Sequence, residues 1–506
     1  MLASPTTDTE YLQSLRSVRE RCFKVQEAAA RQRLQHFDVD PSKLDDMVHI
    51  VVSLIKRDFD HPTDMPVHGR WRHFDVGGRP RIQNLIQSWA SLGEQPLEQT
   101  RRVLDLFVVA VLLDIETGHN WAYREQLTGR MLKRNEGVAV AVFEMFMAGT
   151  FSSDSNKPHR VDSEALCALS METLVKGLQV KQHHTFIWAG LNDRLDLLHH
   201  LGHIVSTRND YFGGVGTDVA RPGNLMDYLL SHPTTINTKK GPLIHLETLW
   251  PIVQEMGELW AAASGKGGTP GLGDVWLCDT VQSNTDEQCW IPFHRLSQWM
   301  AYSLVEPMEK LLGATIEGKE QLTVLPEYRN GGLLMDTGFI TLKQPDLERG
   351  LEKYRQNSLL PGQPKFEVAP MFEMSDPVVV EWRALTVAYL DIVADRVRET
   401  LGLDRKRLNL SQLIQGGTWS AGRELAEISR PNTQEPPIVI KLDSRVIYYE
   451  TKEKEKDTTD FSYLLVLHAD MKELYIDAMD TTFSDQRGRG GIDLHNTKGN
   501  KQGSEK

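Results

Sequence analysis

Apolar residues recur along this chain at helical spacing, and that periodicity limits its fold more than any other feature. Leu44, Val48, Val51 and Ile55 fall at i, i+4, i+7 and i+11 and would line one face of a helix. Pro41 stands where such a helix begins. Leu195, Leu198, Leu201 and Val205 repeat the pattern. The same reading predicts helices over 11–34, 98–116, 137–148, 162–178, 192–206, 245–262, 292–312, 377–401 and 411–428, with Pro292 in a first turn. Strand signals are few. Phe339 to Leu342 is a short β-like run, and Pro437 to Lys441 with Arg445 to Tyr449 reads as a hairpin around Leu442-Asp443-Ser444. The expected fold is mainly α, a multi-helix globular protein with a short β-hairpin near the C-terminus.

A chain of 506 residues can bury a large core and by length holds two or three domains. We expect an N-terminal helical region over 1–150, a second region over 151–446 packed on the first and carrying most candidate site residues, and a tail over 447–506 that is disordered or mis-predicted. The tail begins with the charge run Thr451 to Asp457 and ends Gly/Lys/Arg/Asp-rich. A net charge of -12 argues against a general nucleic-acid binder, which needs a basic face. The cysteines Cys22, Cys167, Cys278 and Cys289 form no CxxC pair, which disfavours a zinc knuckle and fits a reducing compartment. Glu10, Arg16, Arg19 and Glu20 interrupt any signal-peptide core. The longest apolar run, Val103 to Ile115, contains Asp105 and Asp114 and is too short to span a bilayer. These features predict a cytoplasmic or nuclear protein with no membrane and no nucleic-acid partner.

Chemistry-bearing residues concentrate in a few segments. Pro326-Glu-Tyr-Arg-Asn-Gly-Gly332, running on to Asp336 and Gly338, sets Glu327, Tyr328, Arg329 and Asp336 around a glycine pair. Glycines allow a tight turn and close approach to a ligand, so Glu327 and Asp336 could face each other across it; solvated turns share this composition. His68-Gly-Arg-Trp-Arg-His-Phe74 packs cations and rings into one stretch of an acidic protein. Arg70 and Arg72 can grip a phosphate or carboxylate bidentately, with Trp71 stacking on a planar face; equally, both arginines can pair with acids of neighbouring helices. From Pro292, the residues His294, Gln298 and Tyr302 form a polar ladder at i, i+4 and i+8, with Glu306 one turn on. It suits a cleft wall or a wet surface stripe, and His294 is its candidate for proton transfer. Glu381 before Trp382 and Arg383 sits where a helix dipole favours an acid in any case. Gly416-Gly-Thr-Trp419 reads as a glycine turn, a Thr418 cap and a new helix.

Several classes are excluded by pattern. Gly214-Val-Gly216 lacks the rest of a dinucleotide fingerprint, and there is no P-loop, HExxH or GxSxG. The pairs His183-His184 and His199-His200 lack metal-ligand spacing, so neither metal nor cofactor is expected.

Taken in order, the blocks His68 to Phe74, Ala220-Arg-Pro-Gly-Asn-Leu225, Pro292-Phe-His-Arg-Leu-Ser-Gln-Trp299, Tyr302-Ser-Leu-Val-Glu-Pro307, Pro326 to Gly332, Glu381-Trp-Arg-Ala-Leu-Thr386 and Gly416 to Trp419 resemble the uracil catabolism protein four family of fungi and bacteria. The resemblance covers about residues 15–446. It implies a place in a pyrimidine-degradation route that employs uracil phosphoribosyltransferase and a homologue of GTP cyclohydrolase II, passes through a ribosylurea-type intermediate and releases urea. The Asp193-Arg194-Leu195 and Glu327-Tyr328-Arg329 blocks are also similar to those of queuosine-salvage nucleoside hydrolases, whose fold is DNA-glycosylase-like. Family chains end soon after the Pro-Pro-Ile-Val-Ile block, whereas here about sixty unrelated residues follow Val446. The reaction expected from this resemblance is hydrolysis of the N-glycosidic bond of ribosylurea or its phosphate. Asp336 or Glu327 would be the carboxylate and His294 the proton partner. His68, Trp71, Tyr302, Glu381, Arg383 and Trp419 would line the ligand, Tyr328 and Gln298 would hold ribose hydroxyls, and Arg70, Arg72 and Arg329 any phosphate. The partner is then a small pyrimidine-derived ribosyl or ureido compound, alongside other enzymes of the pathway. Alternatives are a C–N hydrolase of an open-ring ureide and a non-catalytic partner or sensor.

Overall fold

The helices predicted from periodicity are present, because their apolar stripes meet each other, except that 11–34 is divided at the N-cap Ser14 and ends at Ala30 and 162–178 is divided at the N-cap Ser170. The computed structural model describes residues 5–441 except 116, 118–119, 215–218, 265–271, 282–288 and 358–366. These residues are mainly helical. Leu44–Asp58 buries Met47, Val48, Val51, Val52, Leu54 and Ile55 along one side, and Pro41 starts the single 3-10 turn that feeds it, capped by Asp40. The helix Pro96–Leu112 is sealed on every side from Val103 onward: Val103, Leu104, Leu106, Phe107, Val108 and Val109 are all fully buried. An all-round apolar helix belongs at the centre of a large core, and Arg295–Leu312 packs along it. Around this pair, Pro377–Leu401 packs on Leu15–Ala30 and on Leu44–Asp58, and Tyr328–Asp336 packs on Trp419–Ser429. No helix among the described residues is long and apolar enough to cross a membrane.

Strands are short, and some clip distant segments together. Phe37–Val39 pairs antiparallel with Ile340–Leu342, the β-like run read from the sequence. Val439–Lys441 is a strand too, but its partner is Met371–Glu373, in parallel; a local hairpin could not produce a parallel pair. The second arm expected for that hairpin, 445–449, and the tail over 447–506 lie outside the described residues.

Three local expectations are corrected. Pro292 ends the strand Trp290–Pro292, and the next helix begins at Arg295, with His294 in the left-handed region at φ 45°. Thr418 is helical in its backbone and caps nothing, because Leu410–Leu413 runs through a π turn, Ile414–Thr418, into Trp419–Ser429. The segment from Tyr328 to Asp336 is a helix rather than a glycine-hinged loop. Its glycines serve packing: a Cβ on Gly331 would lie 2.6 Å from the Trp382 ring, and the Trp382 indole donates to the Gly331 carbonyl at 3.1 Å.

Candidate functional site

The Tyr328–Asp336 helix separates the two carboxylates it was expected to join. Glu327 is its N-cap, accepting the backbone N–H of Arg329 at 2.9 Å and of Asn330 at 2.7 Å. Nine residues at 1.5 Å each put Asp336 about 13 Å away along the axis. There its carboxylate is gripped on both oxygens by Arg430, at 2.9 and 2.7 Å. Arg329 donates to the Gln434 carbonyl at 3.2 Å, and the exposed Tyr328 ring lies against its guanidinium at 5.1 Å.

The Glu327 end of this helix points back into the protein's polar interior. Asn330 accepts a hydrogen bond from Thr418 at 2.9 Å. Three residues earlier in the same π turn, Gln415 meets Nδ1 of His68 at 2.8 Å. A π turn is a frequent feature of functional sites, and here it ties the Pro326 to Gly332 segment to the His68 to Phe74 segment. Trp419, half-buried, lies beside it with Arg423 at 5.9 Å from its ring.

From His68 the cluster continues inward. The His68 and His73 rings flank the Trp299 indole, with centroids 4.8 and 5.9 Å away. Arg70 is fully buried and directs Nη1 to Asp114 at 3.1 Å and to Nδ1 of His73 at 3.0 Å. Arg194, buried on the Thr185–Thr207 helix, donates to the Leu112 carbonyl at 3.2 Å. Arg295, half-buried, acts electrostatically on His68, Asp114, Arg194 and Glu327 and so lies among them. Asp114 keeps 20% of its side chain accessible, and His73 and Glu327 also keep part of theirs. Solvent therefore touches the cluster at Asp114, His73 and Glu327.

This environment drives two carboxyl groups apart. Burial raises Glu327 above its ordinary value, against its two backbone donors, Arg295 and Arg329. Burial also presses Asp114 upward, but Arg70, His73, Arg194 and Arg295 outweigh it, and the carboxyl falls below its ordinary value. One acid is inclined to hold its proton and the other to lose it, the division of labour that acid–base catalysis needs. Burial lowers His68 to about 4 and His73 to about 3, the latter with Arg70 adding to the effect, so both imidazoles are neutral at pH 7. Among the described residues no group of three or more His, Cys, Asp or Glu side chains is placed to hold a metal.

Other expected site residues have structural partners. Gln298 spends its amide on the Phe293 carbonyl and on Thr323, whose backbone N–H it accepts at 2.7 Å. The Tyr302 hydroxyl donates to the Thr323 carbonyl at 3.0 Å, with its ring centroid 6.3 Å from that of His68 in an edge-on contact. His294 places Nε2 2.8 Å from the Leu12 carbonyl. Glu381 accepts the backbone N–H groups of Gln35, His36 and Phe37 at 3.0, 2.9 and 3.0 Å and the hydroxyl of Thr280. Arg383 forks onto Asp274 at 2.8 and 2.7 Å over the Phe293 ring. Trp71 packs edge-on against Phe107, and Arg72 pairs with Glu306. The ladder from Pro292 thus divides: Gln298 and Tyr302 brace Thr323, while Arg295 and Trp299 of the same helix join the cluster.

Sequence reasoning missed Asp114, His73, Arg194, Arg295, Trp299 and Gln415 as members. Signals existed for most of them: Arg194, Arg295 and Trp299 lie inside family-like blocks, and His73 inside the basic one. Asp114 offered only an acid at the end of an apolar run.

Residues 11–447 match the family described as "Protein of unknown function (DUF1688)". The chain belongs to this family. It is 36% identical over 449 residues to the Lachancea kluyveri protein named "Uracil catabolism protein 4", covering 86% of this chain and 98% of that protein. It is also 35% identical over 435 residues to "Protein urg3" of Schizosaccharomyces pombe, covering 85% of this chain and 97% of that protein.

Proposed function

We propose that this protein acts in uracil catabolism as a hydrolase of the N-glycosidic bond in ribosylurea or its phosphate. The pathway assignment draws support from the relative named for uracil catabolism. The reaction assignment draws support from one observation above all: two partly accessible carboxyl groups, Glu327 and Asp114, whose proton affinities are shifted in opposite directions around one arginine-rich cluster.

In this reading the C1–N bond of the riboside breaks as positive charge builds on the ribose. Glu327 gives its proton to the departing urea nitrogen. Asp114, ionised, faces the oxocarbenium-like carbon and takes one proton from the water that adds there, so that free sugar and urea leave. The Glu327 and Asp114 protonation states are then the reverse of the starting ones, and exchange with solvent restores them. Asp336 and His294 have no step in this scheme, because one is held by Arg430 and the other by Leu12.

The test is to incubate the purified protein with ribosylurea and with its 5-phosphate, then to assay urea and reducing sugar separately. Equimolar urea and sugar are expected. Ammonia without free sugar would point to a C–N hydrolase of the ureide instead, and no turnover of either compound would favour a non-catalytic role.

A further inference from the structure

Around Arg70 and Trp299 the unpaired atoms are donors, whereas the nearby unpaired acceptors, Asp75 Oδ1 and Glu306 Oε2, sit with Arg72. Arg70 Nε and Nη2 and the Trp299 Nε1 are buried and have no hydrogen-bond partner among the described residues. Each is a donor with no acceptor capacity. No hydrogen bond or ion pair joins the Arg295 guanidinium to a described residue either, although it is half-buried. A sealed donor without an acceptor is costly, more so when charged, and native proteins leave few of them. A site that collects only donors lacks acceptors, and binding can supply them.

Geometry narrows the acceptor. Arg70 spends Nη1 on Asp114 and His73 and keeps the Nε–Nη2 edge. Those two parallel N–H groups match two oxygens of one phosphate or carboxylate. Charge agrees with shape. Arg70, Arg194 and Arg295 lie within electrostatic reach of one another, with Asp114 and Asp193 as the acids beside them.

We infer that the ligand of this cluster carries an oxyanion, the phosphate monoester of a ribosyl compound, received by the Nε–Nη2 edge of Arg70 together with Arg295 and the indole N–H of Trp299. The ribosyl part rests on the hydrolase reading; the oxyanion rests on the unpaired donors alone. The phosphorylated riboside is accordingly the substrate, and the reaction that supplies it must leave the phosphate in place.

The experiment titrates the full-length protein with ribose 5-phosphate, ribose, inorganic phosphate and acetate by calorimetry. Ribose 5-phosphate should bind, inorganic phosphate should compete with it, and ribose should bind about tenfold more weakly or worse, as expected for lost charged hydrogen bonds. Arg295→Gln, on a partly exposed side chain, should weaken ribose 5-phosphate about tenfold and leave ribose unchanged. Arg70→Lys keeps the charge, removes the fork, and should do the same; if it fails to fold, Arg295→Gln still decides. The inference is overturned if ribose and ribose 5-phosphate bind alike, if neither phosphate compound binds, if acetate competes as well as phosphate, or if the folded variants bind ribose 5-phosphate as the parent does. Arginine-dependent phosphate binding without cleavage of ribosylurea phosphate would refute the hydrolase reading alone. Equal cleavage of both ribosylureas, insensitive to Arg295→Gln, would refute this inference alone.

Discussion

Nδ1 of His68 donates to Oε1 of Gln415 at 2.8 Å, joining two residues 347 positions apart. The bond anchors the start of the basic segment to the π turn, and the π turn in turn holds Asn330 through Thr418. Glu327, three residues before Asn330, is thereby fixed relative to Trp299 and Arg70.

His68 should make stability fall in mild acid. Burial lowers its folded-state value to about 4, below the roughly 6.5 of an unfolded histidine. As pH drops below about 6.5, the unfolded chain takes a proton that the folded chain refuses, so the contribution is complete above that pH and shrinks down to the folded value. The total is about 3 kcal/mol, at about 1.4 kcal/mol per pH unit. Urea denaturation across this window should show the slope, and His68→Gln should reduce it, leaving the share of His73, which burial lowers in the same direction. An unchanged slope in the variant counts against the assignment.

The two carboxyl groups predict a bell-shaped rate profile. Activity should fall in alkali as Glu327 loses its proton and in acid as Asp114 gains one. Glu327→Gln and Asp114→Asn should each lower kcat about 10²–10⁴-fold. In Glu327→Gln the residual activity should lose its alkaline limb, a change that mere loss of packing would not produce. Circular dichroism and kcat against pH on the two variants check this.

Asp336→Asn separates the far end of the helix from the chemistry. Weakening its fork with Arg430 should cost about 1–3 kcal/mol of stability with kcat unchanged. A folded Asp336→Asn protein without activity would return Asp336 to the mechanism.

Gly422 controls how closely the two helices behind Glu327 approach. A Cβ there would lie 2.0 Å from the Arg329 carbonyl oxygen, so Gly422→Ala must push the Tyr328–Asp336 helix away. Overpacking of this kind costs about 1–3 kcal/mol. Stability and activity should drop together, measured by urea unfolding and by turnover, because Glu327 caps the helix that moves.

Glu381 and Arg383 illustrate why polar residues misled sequence reasoning. A carboxylate that accepts three consecutive backbone N–H groups at Gln35, His36 and Phe37 has the same sequence appearance as one waiting for a ligand. The structural load on Gln298, Arg383 and Asp336 comes from Thr323, Asp274 and Arg430, all partners remote from the motifs. By contrast Arg70 and Glu327, both read as candidates, do reach the cluster, joined through Asp114, Arg295 and the π turn.

The order of apolar residues by itself determined that the chain is helical and where most helices run, since a stripe of period 3.6 has to be buried whatever covers it. Its motifs also marked the segments that hold the chemistry. Only the tertiary structure decided which polar side chains in those segments are spent on the scaffold and which remain for a ligand. Hydrogen-bond satisfaction depends on neighbours hundreds of residues away, and no local pattern encodes who those neighbours are.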